Sequence, residues 1–563
     1  MIFREQCPVT FLQKPYRTLL IFIMGQSGRI YRNKQTRILS LLILLTGFIW
    51  WSGIAGSALY GVPSLIVMIY CFYLIKTGAF PNTVESMLRS FCDWCISQNG
   101  KKWILGLFIL QAILWQVFVL FKYYSFNLFT LDVAYYSNII YNTAQGDLFT
   151  SYFNMNSLGE HFTLSISFIS LFYKIVPSTN WMMGFKILAY VCSPILIYRI
   201  CNETLADKKK VLIYAFLLTC WWFFFYRPIV NSVRYEFQSS CLSPPIIMFA
   251  FLSLRKKHWI RFFLAMIFLL GIKEHMGSVW IGFGCYLVLK NPRKILGYAL
   301  IICGIAAIYF IMFQIKPYLR GAVDAYNDVN LVDPFADLHL KAIYFFSLLV
   351  PLFFIPLIYW KNGIMAGPAI GVNLISGYQT MYTSHYHYDD VPSTMLFIAL
   401  ILSLSSLKPA MIMQQIRSRK SLQIALVLWL FIFLYRLPYS VPRFIKNVIP
   451  NAMHQETIAE IEKFRAGVKG VQIATQDVLG PHFYRREIQV FYPGKNCADG
   501  NDFSEGRHVQ LPDFEYLVLA PKLSQFGIPN MEQCLVDMDQ SKTFGRVEGY
   551  QHLVIYRKTD LVR

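Results

Sequence analysis

Residues 238–294 read QSSCLSPPIIMFAFLSLRKKHWIRFFLAMIFLLGIKEHMGSVWIGFGCYLVLKNPRK. Three apolar runs, 238–254, 259–272 and 276–289, are parted by charged breaks of alternating character. The first break holds Arg255, Lys256 and Lys257, the second Lys273, Glu274 and His275, and the next basic cluster is Lys290, Arg293 and Lys294. Apolar runs near this length are candidate membrane spans, and short basic loops mark the cytoplasmic side. The basic breaks therefore belong inside, and the mixed break between them belongs outside.

The same reading extends along the chain. Apolar runs near 38–58, 60–76, 103–121, 182–199, 211–226, 295–313, 342–360, 363–377, 391–407 and 421–437 join these three, giving about thirteen spans. An odd number puts the termini on opposite sides. With residues 1–37 inside, the further basic groups Lys101-Lys102, Arg199, Lys208-Lys209-Lys210 and Arg417-Arg419-Lys420 also fall inside. A long loop, 122–181, falls outside and holds only Lys122 and Lys174 as bases. The N-terminus lacks the small-residue cleavage pattern of a signal peptide.

Composition agrees with a membrane protein. Hydrophobic residues make up 56% of the chain and charged residues 15%, far from a soluble domain. The net charge of +21 could suggest nucleic acid. The placement of the basic groups in short clusters between apolar runs argues for a lipid bilayer as the partner and against nucleic acid. The expected fold is a mainly α polytopic membrane protein with a small soluble α/β domain at the C-terminus, on the outer face. Its parts are a basic N-terminal segment with two extra spans (1–102), a membrane domain (103–438) and the outer domain (439–563). In a bacterium the outer side is the periplasm and the membrane is the inner one.

In the tail, 458–464 has helical periodicity, while 471–475, 516–520 and 553–556 look like strands. Only Cys497 and Cys534 of the twelve cysteines lie there. In an oxidising compartment they form a candidate disulfide; the alternative is two buried thiols. Cys92 and Cys95 form a lone CxxC with no second ligand pair, which argues against zinc.

Candidate chemistry gathers in the outer loops. Asp132 closes an aromatic stretch at a span end, where an ionisable group must be solvated, paired or working. It suits a general base or metal ligand, and equally a helix N-cap. Glu160-His161 adds a second carboxylate and an imidazole, or a surface turn; Asp147 after Gly146 reads as a turn. Arg227, Arg234, Glu236, Lys273, Glu274, His275 and His387 lie at span ends on the same face. The cations among them suit a lipid phosphate, or else pair with Glu236 and Glu274 or reach to headgroups. His385 and His387 alternate with tyrosines suited to stacking, and Asp389-Asp390 suits a cap or a metal.

The ordered set Leu131-Asp132 with Tyr135-Tyr136, Gly146-Asp147, Gly159-Glu160-His161-Phe162, Tyr235-Glu236-Phe237, Lys273-Glu274-His275 and Tyr386-His387-Tyr388 resembles the membrane family catalogued as domain of unknown function 2079. The resemblance runs from about Trp103 to the C-terminus. That family in turn resembles C-type glycosyltransferases, multi-span enzymes with a polyprenyl-phosphate sugar as donor. The resemblance implies a catalytic role for Asp132, with Glu160 second. The family pattern reads acid-Phe-His where this chain has Glu236-Phe237-Gln238, which places a ligand role there in question.

The function so implied is inverting transfer of a sugar from a polyprenyl-phosphate donor to an envelope acceptor on the periplasmic face. Asp132 would deprotonate the acceptor hydroxyl, and Arg227, Arg234 or Lys273 would stabilise the phosphate. A divalent metal is left open. The alternative is a transporter or flippase of a lipid-linked substrate, or a scaffold whose tail recruits partners.

Overall fold

The computed structural model describes residues 35–36, 38–43, 46, 61–96, 98–128, 130–151, 156–205, 208–290, 294–320, 335–407, 409–435, 441–468, 470–483, 488–490, 514–524, 528 and 530–559. The chain forms two compact units, one from 1–106 with 407–440 and the other from 107–406 with 441–563. The protein is mostly helical with one small sheet.

In the first unit, Gly61–Lys76 and Phe80–Ile96 meet at a bend of 119°. Gly78, at φ +71°, makes that turn, a conformation that costs glycine little. Leu39, Val67, Cys71, Leu74 and Val427 form its core, and Glu85 pairs with both Arg89 and Arg417. The expected span 38–58 lies largely outside the described residues.

In the second unit, Thr179–Thr204 packs against Ser243–Arg255 and against Asp390–Leu404, which is buried from Asp390 to Ser403. Gly277–Lys290 and Lys294–Phe310 cross at glycines. A Cβ on Gly284 would lie 2.6 Å from the Gly297 carbonyl, and one on Gly277 would lie 2.7 Å from that of Gly304. Small residues thus let two apolar helices approach backbone to backbone, where dispersion contacts are densest.

Among the described residues, Thr179–Thr204 and Lys294–Arg320 are long and apolar enough to cross a membrane, and up to four spans result if each of two bent pairs is one. Other expected runs form shorter apolar helices, among them Ser239–Arg255, Trp259–Leu270 and Asp390–Leu404, and two are interrupted. The run 211–226 passes through a π-helical turn, Trp221–Phe225, before Pro228 starts a new helix. The run 342–360 breaks at Phe353 and Phe354, both at φ 55°.

The tail folds as expected into a mixed sheet. Strands β1 (Ile473–Thr475), β2 (Ile488–Val490), β3 (Tyr516–Leu519), β4 (Phe544–Val547) and β5 (Val554–Lys558) are ordered β2-β1-β3-β5-β4. β1 runs parallel to β2 and β3, and β5 antiparallel to β3 and β4. β1, β3 and β5 coincide with the expected strands. β2 and β4 escape a pattern reading because they are short and flanked or interrupted by Arg486, Glu487, Gly545 and Arg546. Helix Ala452–Gly467 starts at a capping box of Asn451 and His454. Cys534 is buried under the sheet and disulfide-bonded, while Cys497 lies outside the described residues.

Candidate active site

Asp132 stands in a π-helical turn, Thr130–Ala134, that runs into helix Tyr135–Gln145. That helix has Ala134 as its N-cap, with no side-chain cap bond, so Asp132 is not spent on capping it. Its carboxylate instead reaches across the fold. Oδ2 accepts from the Tyr235 hydroxyl at 2.6 Å, and Oδ1 accepts from the Gln238 amide.

Gln238 ties this carboxylate to a cation. Its Oε1 accepts from the Tyr136 hydroxyl at 3.1 Å and from Lys273 Nζ at 3.4 Å. Lys273 lies 3.4 Å from His387 Nε2, and its ammonium stands 5.5 Å from the centre of the Tyr388 ring. With Lys273 donating, His387 accepts at Nε2 and carries its proton at Nδ1, a buried atom without a hydrogen-bond partner among the described residues. The His387 ring also tilts against those of Tyr235 and Tyr388.

Burial governs the protonation states. It raises the Asp132 carboxyl above its ordinary range, against the pull of Tyr235, Lys273 and Gln238, so this is a more basic carboxylate than usual. It lowers Lys273 and, with Lys273 adjacent, holds His387 well below the usual imidazole range and therefore neutral. His275 is pushed down to about 4 by burial and by Lys273.

A second group adjoins the first. Burial alone would raise Glu274, yet His161, Lys316 and Lys273 together hold it well below the carboxylate range. His161 Nδ1 lies 3.1 Å from one Glu274 oxygen, and the Phe162 amide donates to the other at 3.1 Å. Glu160 accepts from the Tyr135 hydroxyl at 2.5 Å. Gly146, left-handed at φ 100°, ends helix Tyr135–Gln145, and Asp147 accepts from Thr150, so Gly146-Asp147 is a turn.

The arginines have their own neighbours. Arg234 lies 4.1 Å over the Phe444 ring and donates to Asn231 at 3.4 Å. Burial lowers His385, with the positive charges of Arg227 and Arg234 adding to the effect. Glu236 is buried, and its carbonyl accepts from Lys186 at 2.9 Å. Asp390 accepts from Tyr190 at 2.6 Å and Ser240 at 3.2 Å. Burial raises Asp389 to about 7. Among the described residues, no group of three or more His, Cys, Asp or Glu is placed to hold a metal ion.

Sequence reasoning overlooked Gln238 as the hub, and Lys186. The ammonium of Lys186 is fully buried in helix Thr179–Thr204 and donates to the carbonyls of both Tyr235 and Glu236. A lone lysine within an apolar run was the available signal, since a buried charge there requires partners.

The helical part and the sheet meet close by. His482 Nε2 lies 3.1 Å from the Tyr123 carbonyl, its ring 4.2 Å from that of Tyr123, and Thr179 donates to the Pro481 carbonyl at 3.2 Å. Burial lowers His482 to about 3, so the neutral ring donates from Nε2.

Residues 122–540 match the model of the predicted membrane proteins termed DUF2079, three quarters of the chain. The chain belongs to that family. The match takes in every candidate residue from Asp132 to His387, beginning at Lys122 rather than near Trp103 and ending before the C-terminus. No curated protein matches the chain. Among solved structures, the apo crystal structure of ArnT from Cupriavidus metallidurans is similar, with 11% identity and a TM-score of 0.48 over 82% of this chain and 98% of that one.

Proposed function

We propose that this DUF2079 protein is a membrane glycosyltransferase of C-type architecture, moving a sugar from a polyprenyl-phosphate donor to an envelope acceptor on the periplasmic face. The proposal includes about thirteen spans, a cytoplasmic N-terminus and a periplasmic α/β domain from residue 439, closed by a Cys497–Cys534 disulfide. The observation that carries it is the Asp132–Gln238–Lys273 chain, which holds a carboxylate and an ammonium in one buried network.

Inverting transfer uses both ends of that chain. Asp132 takes the proton of the acceptor hydroxyl, whose oxygen bonds to the anomeric carbon. The bond from that carbon to the phosphate oxygen breaks, and its electron pair stays on the phosphate. Each oxygen of Asp132 accepts one protein hydrogen bond and has a lone pair left for the incoming proton. Lys273 is a cation linked to Asp132 through Gln238, and fixed positive charge is most effective where charge develops in a site of low dielectric. His387 Nδ1–H is a further donor for phosphate. Arg227 and Arg234 serve as a second anion-binding group, which suits the remainder of the donor headgroup.

The test is transfer of radiolabelled sugar from a polyprenyl-phosphate donor in purified membranes. Asp132→Asn abolishes transfer while the protein inserts in normal amount. Full activity in that variant removes the proposal. The buried Lys186 within a long apolar helix favours a transporter as second reading. Movement of intact donor across reconstituted vesicles without sugar transfer would establish it.

A further inference from the structure

A second concave site lies at the other end of the same helices. Thr204, Leu254, Arg255, Lys257, Tyr286, Lys290, Asn362 and Ser405 are among the residues around a cavity of about 400 Å³. Thr204 and Lys186 belong to one helix, and 18 residues of helix put them roughly 27 Å apart. The cavity is thus about a hydrocarbon thickness from the carbonyls of Tyr235 and Glu236 that Lys186 holds.

Three features mark it as an anion site rather than a chance gap between loops. Its volume is that of a small-molecule pocket. Its described lining supplies the cations Arg255, Lys257 and Lys290 from two helix ends, hydroxyl and amide groups, and no carboxylate. Among the described residues it is the nearby Lys256 that meets an acid, at 3.9 Å from Glu203. Finally, Lys257 is held at φ +61° where helix Ser243–Arg255 ends, with the amides of Lys256, Lys257 and His258 closing on Leu252, Leu254 and Ser253. Glycine is the usual occupant of that left-handed position. A lysine kept there against its backbone preference points to a use for its ammonium.

We infer that this cavity binds a phosphate-bearing anion of headgroup size at the face opposite the Asp132 network. Basic pockets between span ends on the cytoplasmic side suit anionic headgroups, and the same donors suit a soluble phosphate. The inference stands independently of the transferase reading.

The experiment is thermal unfolding of the purified full-length protein in detergent, titrated with dioctanoyl phosphatidylglycerol, dioctanoyl phosphatidylcholine or inorganic phosphate. Wild type gains Tm with an anionic probe and not with the zwitterionic lipid. A rise with phosphatidylglycerol alone identifies a lipid headgroup, and a rise with inorganic phosphate identifies a soluble ligand. Lys257→Gly, which relieves the backbone, keeps or raises the ligand-free Tm while weakening the anionic probe about fivefold. Lys290→Gln, on another helix, weakens it by a similar factor. The inference is overturned if neither anion shifts Tm, if phosphatidylcholine shifts it equally, or if both variants respond as wild type.

Discussion

The hydroxyl of Tyr235 donates to Asp132 Oδ2 at 2.6 Å, joining two residues 103 positions apart. That bond favours the ionised carboxylate, whereas burial opposes it. A general base works only when ionised, so activity falls as pH drops through the Asp132 pKa. Tyr235→Phe removes the donor and raises that pKa further. The acidic limb of the kcat/KM profile therefore moves to higher pH, with about tenfold loss at neutral pH that recovers on the alkaline side. An unshifted limb would assign the base elsewhere.

Gln238 serves Asp132 with its amide N–H and Lys273 with its carbonyl oxygen. Gln238→Leu leaves both groups short of a partner, at a cost of about 1–3 kcal/mol, and lowers transfer strongly. Gln238→His, which restores the residue of the wider family pattern, keeps a ring donor and stays within about tenfold of wild type. Assaying the two variants side by side separates a bridging role from simple packing.

Lys186 is a positioning residue, since it grips the backbone of Tyr235 and Glu236. Lys186→Met strands two carbonyls and lets Tyr235 and Gln238 drift. Stability falls by about 1–3 kcal/mol. The kcat falls more than KM rises, and Lys186→Arg restores part of both. A KM effect alone would instead make Lys186 a substrate contact.

Glu274 is held ionised by neighbouring positive charge, with a folded pKa well below the ordinary value. Its contribution to stability is therefore present above about pH 4.3, the unfolded value, and is lost as pH falls through the lower folded one. Glu274→Gln lowers Tm at neutral pH and flattens the acid side of the Tm–pH curve. An unchanged curve would show that His161 and Glu274 are not coupled in the folded protein.

Much of this was legible beforehand for identifiable reasons. Asp132, Lys273, Glu274, His161 and His387 stand out in the sequence because charge is conspicuous beside apolar runs, and the fold brings them into two adjoining groups. Gln238 is uncharged, and its importance comes from contacts with Tyr136, Asp132 and Lys273 that no local pattern encodes. Arg227 and Arg234 looked equivalent to Lys273 in sequence, yet the short helix Arg227–Arg234 directs Arg234 to Phe444. Hydropathy also does not register the π-turn at Trp221–Phe225 or the left-handed pair Phe353 and Phe354, which interrupt two of the expected runs.

The central claim is that the Asp132 network opens on the outer face, where the lipid-linked donor would be met. Leu148 is 62% exposed in the same loop, and Lys256 is exposed at the opposite helix ends. Single cysteines at these two positions, probed with a membrane-impermeant maleimide in right-side-out vesicles, report the side directly. The account predicts that Leu148→Cys labels in sealed vesicles and Lys256→Cys only after permeabilisation. The reverse pattern would contradict it.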